Sequence, residues 1–134
     1  MNAGEVGLRY LMTSAKVRRA VDEHMAGSGV SLARTKILQV LVGLGPVKQT
    51  RLATELGMAA RSITQAVEAM ERDGLVRRSS DAADKRAKVV TATDEGVRAL
   101  TAGEESGAEV LRTIFERLSP EQVKALDEIL DVLA

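Results

Sequence analysis

The stretch from residue 50 to residue 88 constrains the fold of this chain more than any other part of the sequence. Its first segment, 50–57, ends at Gly57 in the manner of a helix C-terminus, and its second, 58–74, carries apolar residues at helical spacing. The apolar positions of the two segments are Leu52, Ala53, Leu56, Ile63, Ala66, Val67 and Met70. Two amphipathic helices joined by so short a turn predict a helix-turn-helix arrangement.

The outward face of the second helix carries hydrogen-bonding side chains in its N-terminal half. The residues on this face and its flanks are Arg61, Ser62, Thr64 and Gln65. At 100° per residue they lie opposite or beside the apolar stripe, and such groups can hydrogen-bond base edges and phosphates. Since this helix of the motif makes its base contacts near its N-terminus, the pattern favours major-groove binding. The alternative is an ordinary solvated helix face.

A charged hairpin follows the two helices. Residues 76–80 and 88–91 predict two short strands, with 81–87 as the tip. The cationic side chains at and behind the tip are Lys85, Arg86 and Lys88. An arginine in this position suits a narrow minor groove, where the potential is most negative. The hairpin is therefore interpreted as the wing of a winged helix.

Two carboxylates accompany these cations, Asp81 and Asp84. Their short side chains can accept backbone N–H bonds and hold the turn, or they can pair with Arg86 and aim it at the groove. The sequence leaves both roles open.

The order of motifs around the hairpin resembles the MarR (multiple antibiotic resistance regulator) family. Gly-Leu-Val at 74–76 precedes the hairpin, Asp-x-x-Asp-x-Arg at 81–86 forms its tip, and Thr-x-x-Gly at 93–96 follows. The resemblance extends in length and helix order over essentially the whole chain. It implies a homodimeric transcription factor, often a repressor that a small phenolic or other apolar ligand releases by binding between dimerisation helices and DNA-binding lobe. The chain departs from the family at Lys48 and Ala59, where members commonly place a capping Ser or Thr.

The segments on either side predict long scaffold helices. Residues 5–26 are apolar at helical spacing up to Gly27-Ser-Gly29, and caps are expected at Ser31, Thr93 and Ser119, the last with Pro120 and Gln122 in a capping box. These helices carry more apolar surface than one lobe can cover, so a homodimer is expected. Gly96, Gly103 and Gly107 either permit close helix approach at the dimer seam or soften the helix.

Charge is unevenly distributed, although the formal net charge is zero. Residues 48–88 carry nine Lys or Arg against six acids, and residues 1–47 carry six against three. Residues 89–134 carry four against ten. Such an asymmetry can orient a protein on DNA.

Composition argues against other classes. One Tyr and one Phe are too few to grip RNA or single-stranded DNA by stacking, and the absence of cysteine excludes disulfides and thiolate metal sites. No apolar run approaches the ~18 residues that span a bilayer, and the N-terminus lacks an export signal, so a cytoplasmic location is expected. With His24 as the only histidine and no phosphate loop, metal motif or nucleophile elbow, neither an enzyme nor a cofactor is expected.

These observations predict an all-α fold with a small β-wing in a single domain, 1–134. Segments 1–30 and 94–134 are expected to form dimerisation helices and 31–93 the winged helix-turn-helix lobe. The protein is expected to bind pseudo-palindromic duplex DNA with half-sites about one turn (~10 bp) apart. The candidate DNA-binding residues are Thr50, Arg61, Ser62, Thr64, Gln65, Asp84, Lys85, Arg86 and Lys88. The alternative is a winged-helix protein-interaction module without DNA binding.

Overall fold

Helices dominate the computed structural model, which describes residues 1–27 and 29–134. In chain order the elements are α1 (Ala3–Gly27), α2 (Leu32–Leu44), β1 (Val47–Lys48), α3 (Gln49–Leu56), α4 (Ala60–Arg72), β2 (Val76–Ser80), β3 (Lys88–Ala92), α5 (Asp94–Phe115) and α6 (Pro120–Leu133). The strands form an antiparallel sheet in the order β1-β3-β2. The predicted all-α fold with a small β-wing is confirmed. Residue 28, in the predicted turn after the first helix, lies outside the described residues.

Local signals set the helix boundaries. The hydroxyls of Ser31, Thr93 and Ser119 each accept a hydrogen bond from the backbone N–H three residues later, at 3.2, 3.0 and 3.2 Å. Each satisfies an N–H that the helix itself leaves without an acceptor. Helix α3 ends at Gly57 in the left-handed conformation, with φ of 61°. As predicted, Lys48 and Ala59 occupy the N-cap positions of α3 and α4 without a side-chain capping bond.

Strand β1 is a feature that the sequence analysis did not predict. Its two residues pair with β3, Val47 opposite Val90 and Lys48 opposite Val89. Two residues are too few to show an alternating pattern, so the strand forms because the chain between α2 and α3 passes alongside β3. The predicted hairpin is present, with Val76 opposite Ala92.

The core lies between the helix-turn-helix and the sheet. Side chains from α2, α3, α4 and β3 are fully buried there, among them Leu38, Leu52, Ile63, Val67 and Val90. Fully burying an aliphatic side chain of this size stabilises the fold by roughly 1.5–3 kcal/mol. The apolar stripe of α4 is thereby fixed inward, so its polar face must point outward.

Helix α5 packs against α1 and α2, and two of its glycines permit this. A Cβ on Gly96 would clash with the backbone carbonyl of Leu75, and a Cβ on Gly103 would lie 2.5 Å from the Thr35 hydroxyl oxygen. A Cβ on Gly107 would meet only the Met25 side chain, whose sulfur would lie 3.4 Å away. The close approach at Gly96 and Gly103 is therefore made within one chain.

Large apolar surfaces remain exposed on α1 and α6. Helix α6 buries no residue, and its exposed apolar side chains include Ile129 (53% exposed) and Leu133 (65%). On α1, Leu8 and Leu11 are 59% and 62% exposed. None of the described helices combines the length and apolar character needed to cross a membrane.

Candidate nucleic-acid interface

The outward face of α4 presents the predicted polar residues. Arg61, Ser62 and Gln65 are exposed, as is Thr50 in the first turn of α3. Thr64 is half-buried, and its hydroxyl donates to the Ala60 carbonyl at 3.0 Å. Three hydrogen-bonding side chains in the N-terminal half of α4, those of Arg61, Ser62 and Gln65, are therefore exposed to solvent.

The Thr64 hydroxyl also joins the two helices of the motif. It accepts a hydrogen bond from the Gln49 amide nitrogen at 2.8 Å, across the α3–α4 pair. With both bonds made, this hydroxyl is occupied within the lobe. Gln49 is not among the site residues predicted from the sequence, because no local pattern brings it to Thr64.

The wing tip is an ordered turn around Asp84. The Asp84 carboxylate accepts the Arg86 backbone N–H at 3.0 Å and lies 3.7 Å from its Nε. The Arg86 side chain is 96% exposed. Asp84 therefore holds the turn and lies in ion-pair distance of Arg86, and its role in aiming that arginine stays a prediction.

Asp81 has a different partner. Its carboxylate accepts the Ala83 backbone N–H at 3.3 Å and lies 3.3 Å from the Lys48 ammonium. The backbone bond from Ala83, and then the contact with Lys48, hold the pKa of Asp81 below its usual value of 3.8. Asp81 therefore holds the turn and ties the wing to the start of α3, and it makes no pair with Arg86.

The base of the wing is fastened to α4 by Glu71. Its carboxylate accepts the backbone N–H of Arg78 at 2.9 Å and the Nη2 and Nε of the same residue at 3.0 and 3.2 Å. These bonds, the backbone one first, lower the pKa of Glu71 from its usual 4.5, so the carboxylate is ionised at neutral pH. Glu71 is not among the site residues predicted from the sequence, because no local pattern brings it to Arg78.

Thr93 links the lobe to the long helix. Its hydroxyl donates to the Gly74 carbonyl at 2.6 Å while capping α5, and its backbone N–H donates to the Leu75 carbonyl at 3.1 Å. Together with the close approach at Gly96, this explains why a Thr-x-x-Gly sequence follows the wing. Two hydrogen bonds of Thr93 thus join the start of α5 to the turn between α4 and β2.

An apolar groove of about 620 Å³ lies between α1, α2, α5 and α6. Its apolar lining residues include Val17, Val21, Leu111, Phe115 and Leu130, and its polar lining residues include Arg9, Tyr10, Arg18 and Lys36. Pockets of roughly 300–1,000 Å³ with apolar walls and a few polar groups suit small organic ligands. Among the described residues, no three His, Cys, Asp or Glu side chains are grouped so that they could hold a metal ion.

Comparison with known proteins gives one consistent family. The model of the MarR family matches residues 30–88. The HTH-type transcriptional regulator YfiV of Bacillus subtilis is 30% identical over 105 residues, 78% of this chain and 66% of YfiV, so the chain spans just under two thirds of that relative. The HTH-type transcriptional repressor YetL of the same organism is 26% identical, over 97% of this chain and 81% of YetL.

The fold agrees with that family. The crystal structure of a MarR mutant from E. coli complexed with operator DNA superposes with a TM-score of 0.80 at 19% identity, and the match covers 96% of this chain and 93% of that one. Wild-type MarR without DNA gives a TM-score of 0.84 and covers 99% of this chain and 96% of its own. The winged-helix segment, residues 30–88, is therefore a MarR-family domain by its sequence match, and it lies within a chain that has the fold of MarR along nearly its whole length.

Proposed function

We propose that this protein is a homodimeric, sequence-specific regulator of transcription that binds duplex DNA in the cytoplasm. Helix α4 enters the major groove, where Arg61 and Gln65 read base edges, and the wing places Arg86 in the adjacent minor groove. The observation that carries the proposal is the pairing of an outward polar face on α4 with a braced wing whose arginine is 96% exposed. The MarR mutant of the same fold is complexed with operator DNA.

The exposed apolar surfaces of α1 and α6 support the dimer. Apolar faces this large are uncommon on monomers, and a two-fold interface between identical surfaces would cover them. A dimer presents two α4 helices, so its operator would be a pseudo-palindrome with half-sites about 10 bp apart. By binding its operator the protein would repress transcription, by analogy with YetL, which is named a transcriptional repressor.

Release by a small apolar or phenolic ligand is the second part of the proposal. The groove between α1, α2, α5 and α6 has the size and apolar walls for such a molecule, and α5 is joined to the α4–β2 turn through Thr93. Such a ligand would bind more tightly to a conformation in which the spacing of the two DNA-binding lobes does not fit DNA than to the conformation that does. It would weaken DNA binding by the difference between these two affinities.

Fluorescence anisotropy with the DNA upstream of the protein's own gene tests the function. Arg61→Ala and Gln65→Ala should each weaken binding to the specific site by roughly 5- to 150-fold, and binding to random DNA much less. Gln39→Ala is the matched control, since Gln39 is exposed on α2, outside the motif. Equal losses on both DNAs would make Arg61 and Gln65 mere backbone contacts. Failure of the wild-type protein to bind either DNA would refute the proposal in favour of a protein-interaction module.

A further inference from the structure

We propose that Glu71 is the positioning residue of the wing, holding β2 and therefore Arg86 at a fixed angle to α4. This inference rests on the DNA-binding function proposed above and adds a residue that contacts no DNA itself. As a consequence, α4 and the wing keep a fixed relative orientation. The major-groove contacts of α4 and the minor-groove contact of Arg86 are then made at a fixed spacing along the DNA.

The contact is unusually complete for two residues joined through a short turn. Both carboxylate oxygens of Glu71 are used: Oε2 accepts the Arg78 backbone N–H at 2.9 Å, and Oε1 accepts Nη2 and Nε at 3.0 and 3.2 Å. One side chain of α4 thus grips both the main chain and the side chain of a single β2 residue. Hydrogen bonds to a charged group of this kind are stronger and more directional than neutral ones.

The sheet topology explains why a backbone N–H is available at Arg78. Strand β2 lies at the edge of the sheet, because the strand order is β1-β3-β2. An edge strand leaves some of its backbone N–H groups without an acceptor on a neighbouring strand. The Glu71 carboxylate accepts a hydrogen bond from one of them, the N–H of Arg78. The edge is thereby both satisfied and attached to α4.

Electrostatics excludes Arg78 from the set of DNA contacts. Its guanidinium lies 3.0 Å from Glu71 and 3.8 Å from Glu68, and its side chain is only 23% exposed. Two carboxylates compensate its charge, so it has little to offer a phosphate. The neighbouring Arg77 is exposed, and among the described residues no carboxylate forms a salt bridge with it.

The geometry of the hairpin makes the angle at Arg78 consequential. At about 3.3 Å per residue, the wing tip extends roughly 15 Å beyond Arg78. A tilt of about 10° at this point displaces Arg86 by about 3 Å, which is half the ~6 Å width of a minor groove. A small loss of restraint at the base is therefore enough to misplace the tip.

A double-mutant cycle between Glu71 and Arg86 tests the proposal, with binding measured by anisotropy on a site selected from random DNA. Glu71→Ala removes a negative charge near DNA, so charge alone predicts tighter binding, whereas loss of positioning predicts weaker binding, by roughly 10-fold. In an Arg86→Ala background the same change should alter binding by less than about 2-fold, because no tip contact remains to be misplaced. Glu68→Ala is the matched control: Glu68 lies 3.8 Å from the Arg78 guanidinium but accepts no hydrogen bond from the Arg78 backbone, so the change removes the same charge from α4, leaves the Glu71–Arg78 bonds in place, and should leave binding unchanged or tighter.

Glu71→Gln provides the conservative variant, since an amide oxygen can still accept the Arg78 N–H, and its affinity should fall between wild type and Glu71→Ala. Amide hydrogen exchange without DNA supplies an independent readout: protection of the Arg78 N–H should decrease in Glu71→Ala and not in Glu68→Ala. Tighter binding by Glu71→Ala, or equal weakening in both backgrounds, overturns the positioning role while leaving the proposed function intact. Failure of the wild-type protein to bind any DNA overturns the proposed function. In that case hydrogen exchange still tests the restraint of β2 by Glu71, which is rejected if the protection of the Arg78 N–H is unchanged in Glu71→Ala.

Discussion

Replacing Ala59 with serine should stabilise the protein, because the structure provides an N-cap position that lacks only the capping oxygen. Ala59 has φ and ψ of −63° and 145°, close to −70° and 161° at Ser119, and its carbonyl already accepts the Ile63 N–H at 3.1 Å. The Ser62 N–H is the third of the helix and has no intrahelical acceptor. Ala59 is exposed, so a hydroxyl fits without repacking.

The magnitude follows from the capping bonds that the chain already contains. The hydroxyls of Ser31, Thr93 and Ser119 meet their N–H partners at 3.0–3.2 Å in the same backbone conformation. Exchanging alanine for serine at such a position is worth about 1 kcal/mol per chain. For a chain of this length that corresponds to an increase in Tm of roughly 3–5 °C.

Urea and thermal unfolding at fixed protein concentration measure the effect, because the proposed dimer would make apparent stability depend on concentration. Ala60→Ser is the matched control, since it adds the same hydroxyl one residue later, inside the first turn, where it cannot cap. If Ala59→Ser is no more stable than Ala60→Ser, the description of the start of α4 is wrong.

Three further predictions concern the scaffold and the wing. Gly96→Ala should destabilise the protein by roughly 1–3 kcal/mol because its methyl group meets the Leu75 carbonyl, whereas Gly107→Ala should be neutral or slightly stabilising; urea unfolding of both variants compares them. Asp84→Ala should weaken DNA binding despite removing a negative charge, because the Arg86 turn loses its acceptor; tighter binding in a salt titration would leave the wing as a plain cationic arm. Glu71 and Asp81 have pKa values below their usual values of 4.5 and 3.8 in the folded protein. The stability that these carboxylates contribute is therefore complete above their usual pKa values and is lost as the pH falls through the folded-state pKa values. The acid limb of a pH–stability curve should accordingly be shallower in Glu71→Gln and Asp81→Asn than in wild type.

Features that depend on neighbouring residues could be predicted from the sequence. The caps at Ser31, Thr93 and Ser119 involve groups three residues apart, and the hairpin register follows from two short strands with a turn between them. The apolar spacing in α4 fixed its buried stripe, and with it the outward face that carries Arg61 and Gln65.

The contacts that brace the interface could not be predicted in this way. Gln49 meets Thr64, Lys48 meets Asp81, and Glu71 meets Arg78 only because the folded chain brings separate elements together. The sequence alone does not indicate that the Glu71 carboxylate on α4 has a partner on β2. Sequence patterns identify which side chains face outward, whereas the restraints on the wing are a property of the tertiary structure.

Selection of DNA from a random pool, followed by sequencing, tests the central claim most directly. A dimer with two braced α4–wing units should enrich a pseudo-palindrome whose half-site centres lie about 10 bp apart, with A·T preference where each wing tip meets the minor groove. The enrichment should disappear with Arg61→Ala and lose its A·T flanks with Arg86→Ala. Enrichment of a single half-site, or of no sequence at all, would contradict the account.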